Sequence, residues 1–217
     1  MSSHYFDPEP QARSARQRIP LVLPDLTAEL VTDRGVFSGD RLDAGTKLLL
    51  QETPPADLAP GANVLDLGCG YGAIAVTLAH RHPQATVWAV DVNERAVELC
   101  RVNAEALGFE NVRAVLVPAD APLAALPADV RFDRIWSNPP IRIGKAALHE
   151  LLLQWLGRLT PTGHAVLVVQ KHLGSDSLQT WLTTQGCTVE RLTSRAGYRL
   201  LDVATAPTQP RTLPEQR

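Results

Sequence analysis

The sequence predicts an α/β protein: a Rossmann-like, doubly wound, mostly parallel sheet of seven strands, ending in a C-terminal antiparallel hairpin and preceded by a short β-rich N-terminal extension. Three observations carry that expectation. From residue 61 onward, short runs of apolar and β-branched residues alternate with stretches of helical periodicity, the pattern of repeated βα units. A glycine-rich turn, Asp66-Leu67-Gly68-Cys69-Gly70-Tyr71-Gly72, links the first of these strands to the first helix. Asp66, Asp91 and Asn138 each stand at the end of an expected strand, where folds of this class gather their ligands.

Taken in order, Ile19-Pro20-Leu21-Val22-Leu23 and Ala28-Glu29-Leu30-Val31 read as short strands. Thr32-Asp33-Arg34-Gly35 reads as a turn, and Leu42-Asp43-Ala44-Gly45-Thr46 leads into an apolar segment over 47–51. Pro54-Pro55 and Pro60-Gly61 punctuate the entry to the main unit. Strands are then expected over 64–67, 86–91, 112–117, 132–137 and 165–169. Helices are expected over 73–82, before Pro83; over 94–107, stopped by Gly108; over 145–159; and over 175–185. Two strand-like stretches between 187 and 206, split by Arg195-Ala196-Gly197, form an antiparallel pair. The expected organisation is an N-terminal extension (1–60), the main domain (61–206) and a tail (207–217) whose Pro, Gln and Arg content reads as disordered.

Composition narrows the function classes. The 217 residues are 45% hydrophobic and 20% charged, those of a globular chain able to bury a substantial core. No apolar run reaches the ~18 residues of a membrane span, and Met1-Ser2-Ser3-His4-Tyr5-Phe6-Asp7 lacks the basic and apolar regions of a signal peptide. Three scattered cysteines, Cys69, Cys100 and Cys187, follow no metal or redox spacing and point to a reducing cytoplasm. His80-x-His82 closes a helix without further ligands, so no metal is expected. A net charge of −2 does not announce a nucleic-acid binder, yet Arg13, Arg16 and Arg18 form a basic stretch suited to phosphate or to solvent.

The glycine turn has the spacing G-x-G-x-G, not the G-x-G-x-x-G of a dinucleotide site. Asp66 directly precedes it, where a carboxylate repels pyrophosphate and welcomes a cation. Asp91 lies 23 residues after Gly68, the usual place for a carboxylate that accepts ribose hydroxyls. Together they suit an adenosine-type cofactor with no pyrophosphate and a positive charge, and S-adenosyl-L-methionine fits that description. Farther along, Asn138-Pro139-Pro140-Ile141 ends a strand: two prolines lack N–H donors and cannot continue a ladder. A polar Asn beside a stiffened backbone suits a flat hydrogen-bonding group such as the exocyclic amine of a nucleobase.

These residues resemble known motifs. Asp66–Gly72 with Asp91 is similar to motifs I and II of class I S-adenosylmethionine-dependent methyltransferases, and Asn138-Pro139-Pro140-Ile141 to motif IV of enzymes that methylate amines on planar systems. The chain more narrowly resembles the small-domain family of ribosomal RNA small-subunit (guanine-N2)-methyltransferases over about residues 36–205. Val36-Phe37-Ser38, Leu42-Asp43-Ala44-Gly45-Thr46, Asn138 through Lys145, Val168 through Ser177 and Gly197-Tyr198-Arg199 carry that likeness. The resemblance implies a cofactor set of Asp66, Gly68, Cys69, Gly70, Asp91, Val92, Asp120 and Ala121, with Asn138 at its edge. It implies that Asn138, Pro139 and Pro140 form the catalytic motif, with the Asn138 side-chain oxygen and the Pro139 carbonyl holding the two amine N–H groups. Ile141, Arg142, Lys145, Lys171, Arg13, Arg16 and Arg18 are the expected RNA-side residues, and the partner is ribosomal RNA or the small ribosomal subunit. Ile141 departs from adenine-N6 and glutamine-N5 enzymes, which carry a stacking aromatic there; this turns the expectation toward guanine N2 and leaves the residue packing on the base unassigned.

Three other readings compete: N-methylation of a small molecule or protein amide, a non-catalytic RNA-binding factor on the same scaffold, and a nicotinamide-dependent oxidoreductase. Asp66 and the glycine spacing speak against the last, and the complete set of Asp66–Gly72, Asp91 and Asn138 against the second.

Overall fold

The structure, a computed structural model, describes residues 13–205; the His4-Tyr5-Phe6 segment and the 207–217 tail lie outside the described residues. β1 (Gln17–Val22) and β2 (Thr27–Thr32) pair antiparallel as a small separate sheet. α1 (Ala44–Glu52) follows. The main sheet is built from β3 (Asn63–Leu67), β4 (Thr86–Asp91), β5 (Val112–Leu116), β6 (Phe132–Ser137), β7 (Leu159–Gln170), β8 (Cys187–Arg195) and β9 (Tyr198–Thr205). Between them run α2 (Ala73–Arg81), α3 (Glu94–Ala106), α4 (Lys145–Leu156) and α5 (Ser175–Thr184).

The strand order is β5-β4-β3-β6-β7-β9-β8. The first five are parallel, and β9 runs antiparallel to both β7 and β8. The seven-stranded, doubly wound sheet with its C-terminal hairpin is as the sequence predicts. Order reverses between β3 and β6, so the crevice of the switch point lies between the strand ends that carry Asp66 and Asn138.

The sheet is buried on both faces, and side-chain alternation divides the core in two. Along β7, Val166 and Val168 face one cluster while Ala165, Leu167 and Val169 face the other. β9 does the same with Leu200 against Leu201 and Val203. α4 and α5 cover the second face through Leu148, Leu152, Trp155, Leu178 and Leu182. α2 and α3 cover the first face near β3–β5, and α1 brings Leu48, Leu49 and Leu50 into the same cluster. The N-terminal hairpin adds Ile19, Leu21 and Leu30 there. Residues of the extension therefore belong to the core of the main sheet.

The structure assigns one element left open by the sequence and corrects two boundaries. The segment after Asp43 is a helix, begun by the Asp43 carboxylate accepting the Thr46 N–H at 2.9 Å. α4 ends at Leu156, where Gly157 and Arg158 turn the chain, and Leu159 already belongs to β7. An uninterrupted apolar run conceals that change, because a buried helix end and a buried strand start look alike in sequence. β7 also begins well before residue 165; its pairing with β6 is irregular past Leu159 and resumes at His164.

Candidate active site

A cleft of about 280 Å³ opens at the carboxyl ends of β3, β4 and β6. The glycine loop forms its floor. Gly68, Gly70 and Gly72 all adopt positive φ, at 78°, 54° and 91°, a conformation that other residues reach only with strain. The Gly70 N–H donates to one Asp91 carboxylate oxygen at 2.9 Å, and the Asn93 N–H to the other at 2.9 Å. Asp91 is thus fixed at the cleft wall. Burial raises its carboxyl above the ordinary range, and the backbone donors Asn93, Gly70 and Val92 pull the other way. Gly68, Cys69, Gly70, Asp91 and Val92 line the cleft together.

Asp66 departs from the expectation of an acid facing a ligand. It is 0% exposed, lies behind the loop and does not line the cleft. One carboxylate oxygen accepts the Ala75 N–H at 2.9 Å, tying the end of β3 to the first turn of α2. The other oxygen is buried without a partner. Burial pushes the carboxyl up to about 8; the Ala75 bond opposes that rise and the Asp91 charge adds to it.

On the opposite wall, Ser137 closes β6 with a hydroxyl donating to the Leu67 carbonyl at 2.7 Å. Asn138 follows. Pro140 has φ −74° and ψ 72°, an inverse γ-turn in which the Ile141 N–H donates to the Pro139 carbonyl at 2.8 Å. The prolines therefore set the bend itself, since proline φ is already near that value. The Pro139 carbonyl, expected to grip a substrate, is already engaged by Ile141 and has its second lone pair left. Both N–H donors of the Asn138 amide are used, one to Asp43 Oδ1 at 2.7 Å and one to Thr46 Oγ1 at 3.0 Å.

The remaining walls bring in residues to which the sequence assigns no role. Phe37, Asp43, Thr46, Trp155, Leu173 and Tyr198 all line the cleft. Tyr71, buried at 5% exposure, both packs in the core and lines the cleft, and burial raises its phenol. Trp155 likewise joins the core and the cleft wall. Cys69 is hydrogen-bonded to the Cys100 thiol, which together with burial holds it well above the ordinary thiol range. The signal for Asp43 and Thr46 is present in the sequence: an Asp three residues before a Thr, ahead of an apolar run, is a helix start.

Of the expected RNA-side residues, Ile141 and Arg142 line the cleft and Lys145 and Lys171 do not. Lys145 is exposed at the start of α4. Asp120 and Ala121 are exposed and outside the lining, although their neighbours Ala119 and Pro122 belong to it. Arg13 is exposed. Arg16 pairs with Glu98 at 2.5 Å and Arg18 with Glu29 at 3.4 Å, so part of the basic stretch is neutralised within the fold. Among the described residues there is no cluster of three or more potential metal ligands, and no helix is long and apolar enough to cross a membrane.

The chain is 35% identical over 177 residues to the uncharacterized protein YbxB of Bacillus subtilis, covering 82% of this chain and 86% of that one. It is 38% identical over 142 residues to ribosomal RNA small subunit methyltransferase C of Pseudomonas putida, covering 64% of this chain and 40% of that one. A solved 16S rRNA N2 methyltransferase of T. thermophilus, in complex with AdoMet and guanosine, superposes with a TM-score of 0.75 at 26% identity, over 90% of this chain and 52% of that one. The chain thus spans about half or less of the length of these two named methyltransferases. The profile of the methyltransferase small domain matches residues 27–202, from inside the N-terminal hairpin to the last strand, and the chain belongs to that family.

Proposed function

We propose that this protein transfers a methyl group from S-adenosyl-L-methionine to the exocyclic N2 amine of a guanine in small-subunit ribosomal RNA. One observation carries the reading: the glycine loop, Asp91 and the Asn138-Pro139 acceptors meet in a single cleft at the switch point of the sheet. The residues present fit the methyl donor. At Gly68 and Gly70 an added Cβ would meet no atom within 4 Å, so the backbone there can be approached closely. Asp91 is placed for ribose hydroxyls, while the buried Asp66 supports the loop from behind by accepting the Ala75 N–H. Cys69 and Val92 complete that side, while Asp120 and Ala121 reach it only if their loop turns inward. The sulfonium of the bound donor supplies an activated methyl whose leaving group is a neutral thioether.

The chain's own work is positioning and charge stabilisation. Guanine N2 is a weak nucleophile because its lone pair is delocalised into the ring. With its N–H groups held by Asn138 Oδ1 and the free lone pair of the Pro139 carbonyl, the nitrogen turns its own lone pair toward the methyl. Both acceptors then stabilise the positive charge that grows on nitrogen as the C–N bond forms and the C–S pair returns to sulfur. The proton leaves to water after transfer, so no strong base is required beside Asn138. Arg142 at the mouth and Lys145 and Lys171 beyond it are the phosphate contacts on this reading, with Arg13 farther out. The names of the relatives support ribosomal RNA as partner, and cytoplasm is the matching compartment.

The test is incubation with labelled S-adenosylmethionine and unmodified ribosomal RNA or small subunits, followed by nucleoside analysis. N2-methylguanosine is the expected product, and Asn138→Ala is expected to lose roughly 100-fold or more in rate while still binding the cofactor. A different methylated nucleoside overturns the choice of guanine N2. Absence of incorporation into RNA favours methylation of a small molecule or protein amide, a reading helped by the internal pairing of Arg16 and Arg18.

A further inference from the structure

We propose that Asp43 is the positioning residue of the amine site: it selects the one orientation of the Asn138 amide in which Oδ1 faces the target nitrogen. The proposal rests on the reading of Asn138 as an acceptor for an amine. It arises from a motif, Leu42-Asp43-Ala44-Gly45-Thr46, to which that reading assigns no role.

A carboxamide is nearly symmetric in shape, so packing cannot distinguish its two flipped forms. Only hydrogen-bond partners can. One form presents an acceptor to the amine; the other presents an NH2, which meets the amine's N–H groups donor to donor. Asn138 donates to Asp43 Oδ1 at 2.7 Å and to Thr46 Oγ1 at 3.0 Å. Thr46 does not choose between the forms, because a hydroxyl donates as readily as it accepts. The Asp43 carboxylate does choose. It accepts only, and the flipped amide would press its oxygen against a carboxylate oxygen at hydrogen-bond distance. The charge also strengthens the bond it makes.

Asp43 is itself held in place. The same Oδ1 caps α1 by accepting the Thr46 N–H at 2.9 Å. α1 is anchored in the core through Leu48, Leu49 and Leu50. Gly45 lets the pieces close together: a Cβ there would lie 2.7 Å from the Tyr198 ring and 3.0 Å from Asp43 Oδ1. Three of the motif's five residues thereby acquire a role. Asp43 selects and caps, Gly45 makes room, and Thr46 receives the second N–H. The clamp joins residues 95 positions apart, and it makes the N-terminal extension part of the active site.

The test is a double-mutant cycle on the full chain, with S-adenosylmethionine and the RNA substrate. Asp43→Ser keeps a good helix cap but is too short to reach Asn138. It is expected to lower kcat about 10-fold or more while leaving the KM for S-adenosylmethionine unchanged. Asp43→Asn, a carboxamide that still offers an oxygen but can also present an NH2, is expected to keep part of the selection and to fall between Asp43→Ser and wild type. In an Asn138→Ala background, Asp43→Ser is expected to cost nothing further. Losses that multiply in that background, or a shift of the cofactor KM in place of kcat, overturn the proposal and leave the amine-site reading standing. Near-normal turnover of Asn138→Ala overturns that reading and the proposal with it. A second measurement does not depend on the folding of any Asp43 variant. The Asn138 side-chain N–H protons, assigned by their disappearance in Asn138→Ala, are expected to exchange slowly with solvent, and free exchange overturns the clamp.

Discussion

Asp66 retains its proton in the folded protein far above the pH at which a free carboxyl would lose it, because both of its oxygens are buried and only one has a partner. This has a consequence for stability. Below the ordinary carboxyl value of 3.8, folded and unfolded chains both carry the proton. Between 3.8 and about 8 only the folded chain does, so each step upward in pH favours unfolding; above about 8 the effect is complete. Asp66→Asn keeps an acceptor for the Ala75 N–H and cannot ionise. Its stability relative to wild type is therefore expected to improve by up to about 1.4 kcal/mol for each pH unit across this window, and denaturant titrations of the cofactor-free proteins at several pH values check it. A gap between the two that does not change with pH would show that Asp66 ionises freely. The sequence points to Asp66 as an acid beside a cofactor, and it is legible there as a strand-end carboxyl. Its complete burial is not legible, because burial depends on how the loop closes over it. Asp91 differs for the same kind of reason: the Gly70 and Asn93 N–H groups that fix it come from a loop and a helix start that only the fold brings together.

At the scale of elements, the strands that bear site residues and most helices follow from periodicity and from their caps. β6 runs from Phe132 to Ser137 and stops where the prolines begin, as expected from the missing donors. α1 is the exception. Its nine residues are too few to display a clear helical period, and the one local signal of its start is Asp43 as an N-cap, which the structure shows accepting the Thr46 N–H. The β8–β9 hairpin shows a different kind of strain. Arg195 pairs with Tyr198 across a two-residue turn in which Ala196 and Gly197 have φ of 50° and 82°. Such a turn requires left-handed backbone at both positions, which suits Asn-Gly far better than Ala-Gly. Ala196→Asn is expected to raise stability by about 0.5–1 kcal/mol without altering turnover, measured by thermal or denaturant melts beside the methylation assay. The residue is exposed, so no packing change offsets the gain.

Across the whole molecule, the proline-marked boundary near residue 61 separates sequence motifs more cleanly than it separates packed layers. α1 covers a face of the main sheet that includes Trp136, Val166, Val168 and Leu200, and the N-terminal hairpin packs against α3 in the same hydrophobic cluster, with Val31 bonded to Asn103. Exposing side chains of this kind costs roughly 1.5–3 kcal/mol each, a large fraction of the stability of any single domain. A fragment of residues 61–217 is therefore expected to aggregate or to remain molten. Size-exclusion chromatography and near-ultraviolet circular dichroism check this, and a monomeric fragment with native aromatic signals would show that the extension is dispensable for folding. The match of the family profile from residue 27 onward agrees with one shared core.

The sequence by itself determined the class of fold, the glycine loop and the strand ends on which Asp66, Asp91 and Asn138 stand. Each of these is a local property: periodicity, backbone permissiveness and the missing donors of proline are readable within a few residues. Only the tertiary structure decided which residues face the cleft and which are used up elsewhere. It turned Asp66 inward, paired Arg16 with Glu98, left Asp120 outside the lining, and brought Asp43 to Asn138. Those outcomes depend on contacts between distant segments and on the burial they produce, and neither is a property of any short stretch of chain.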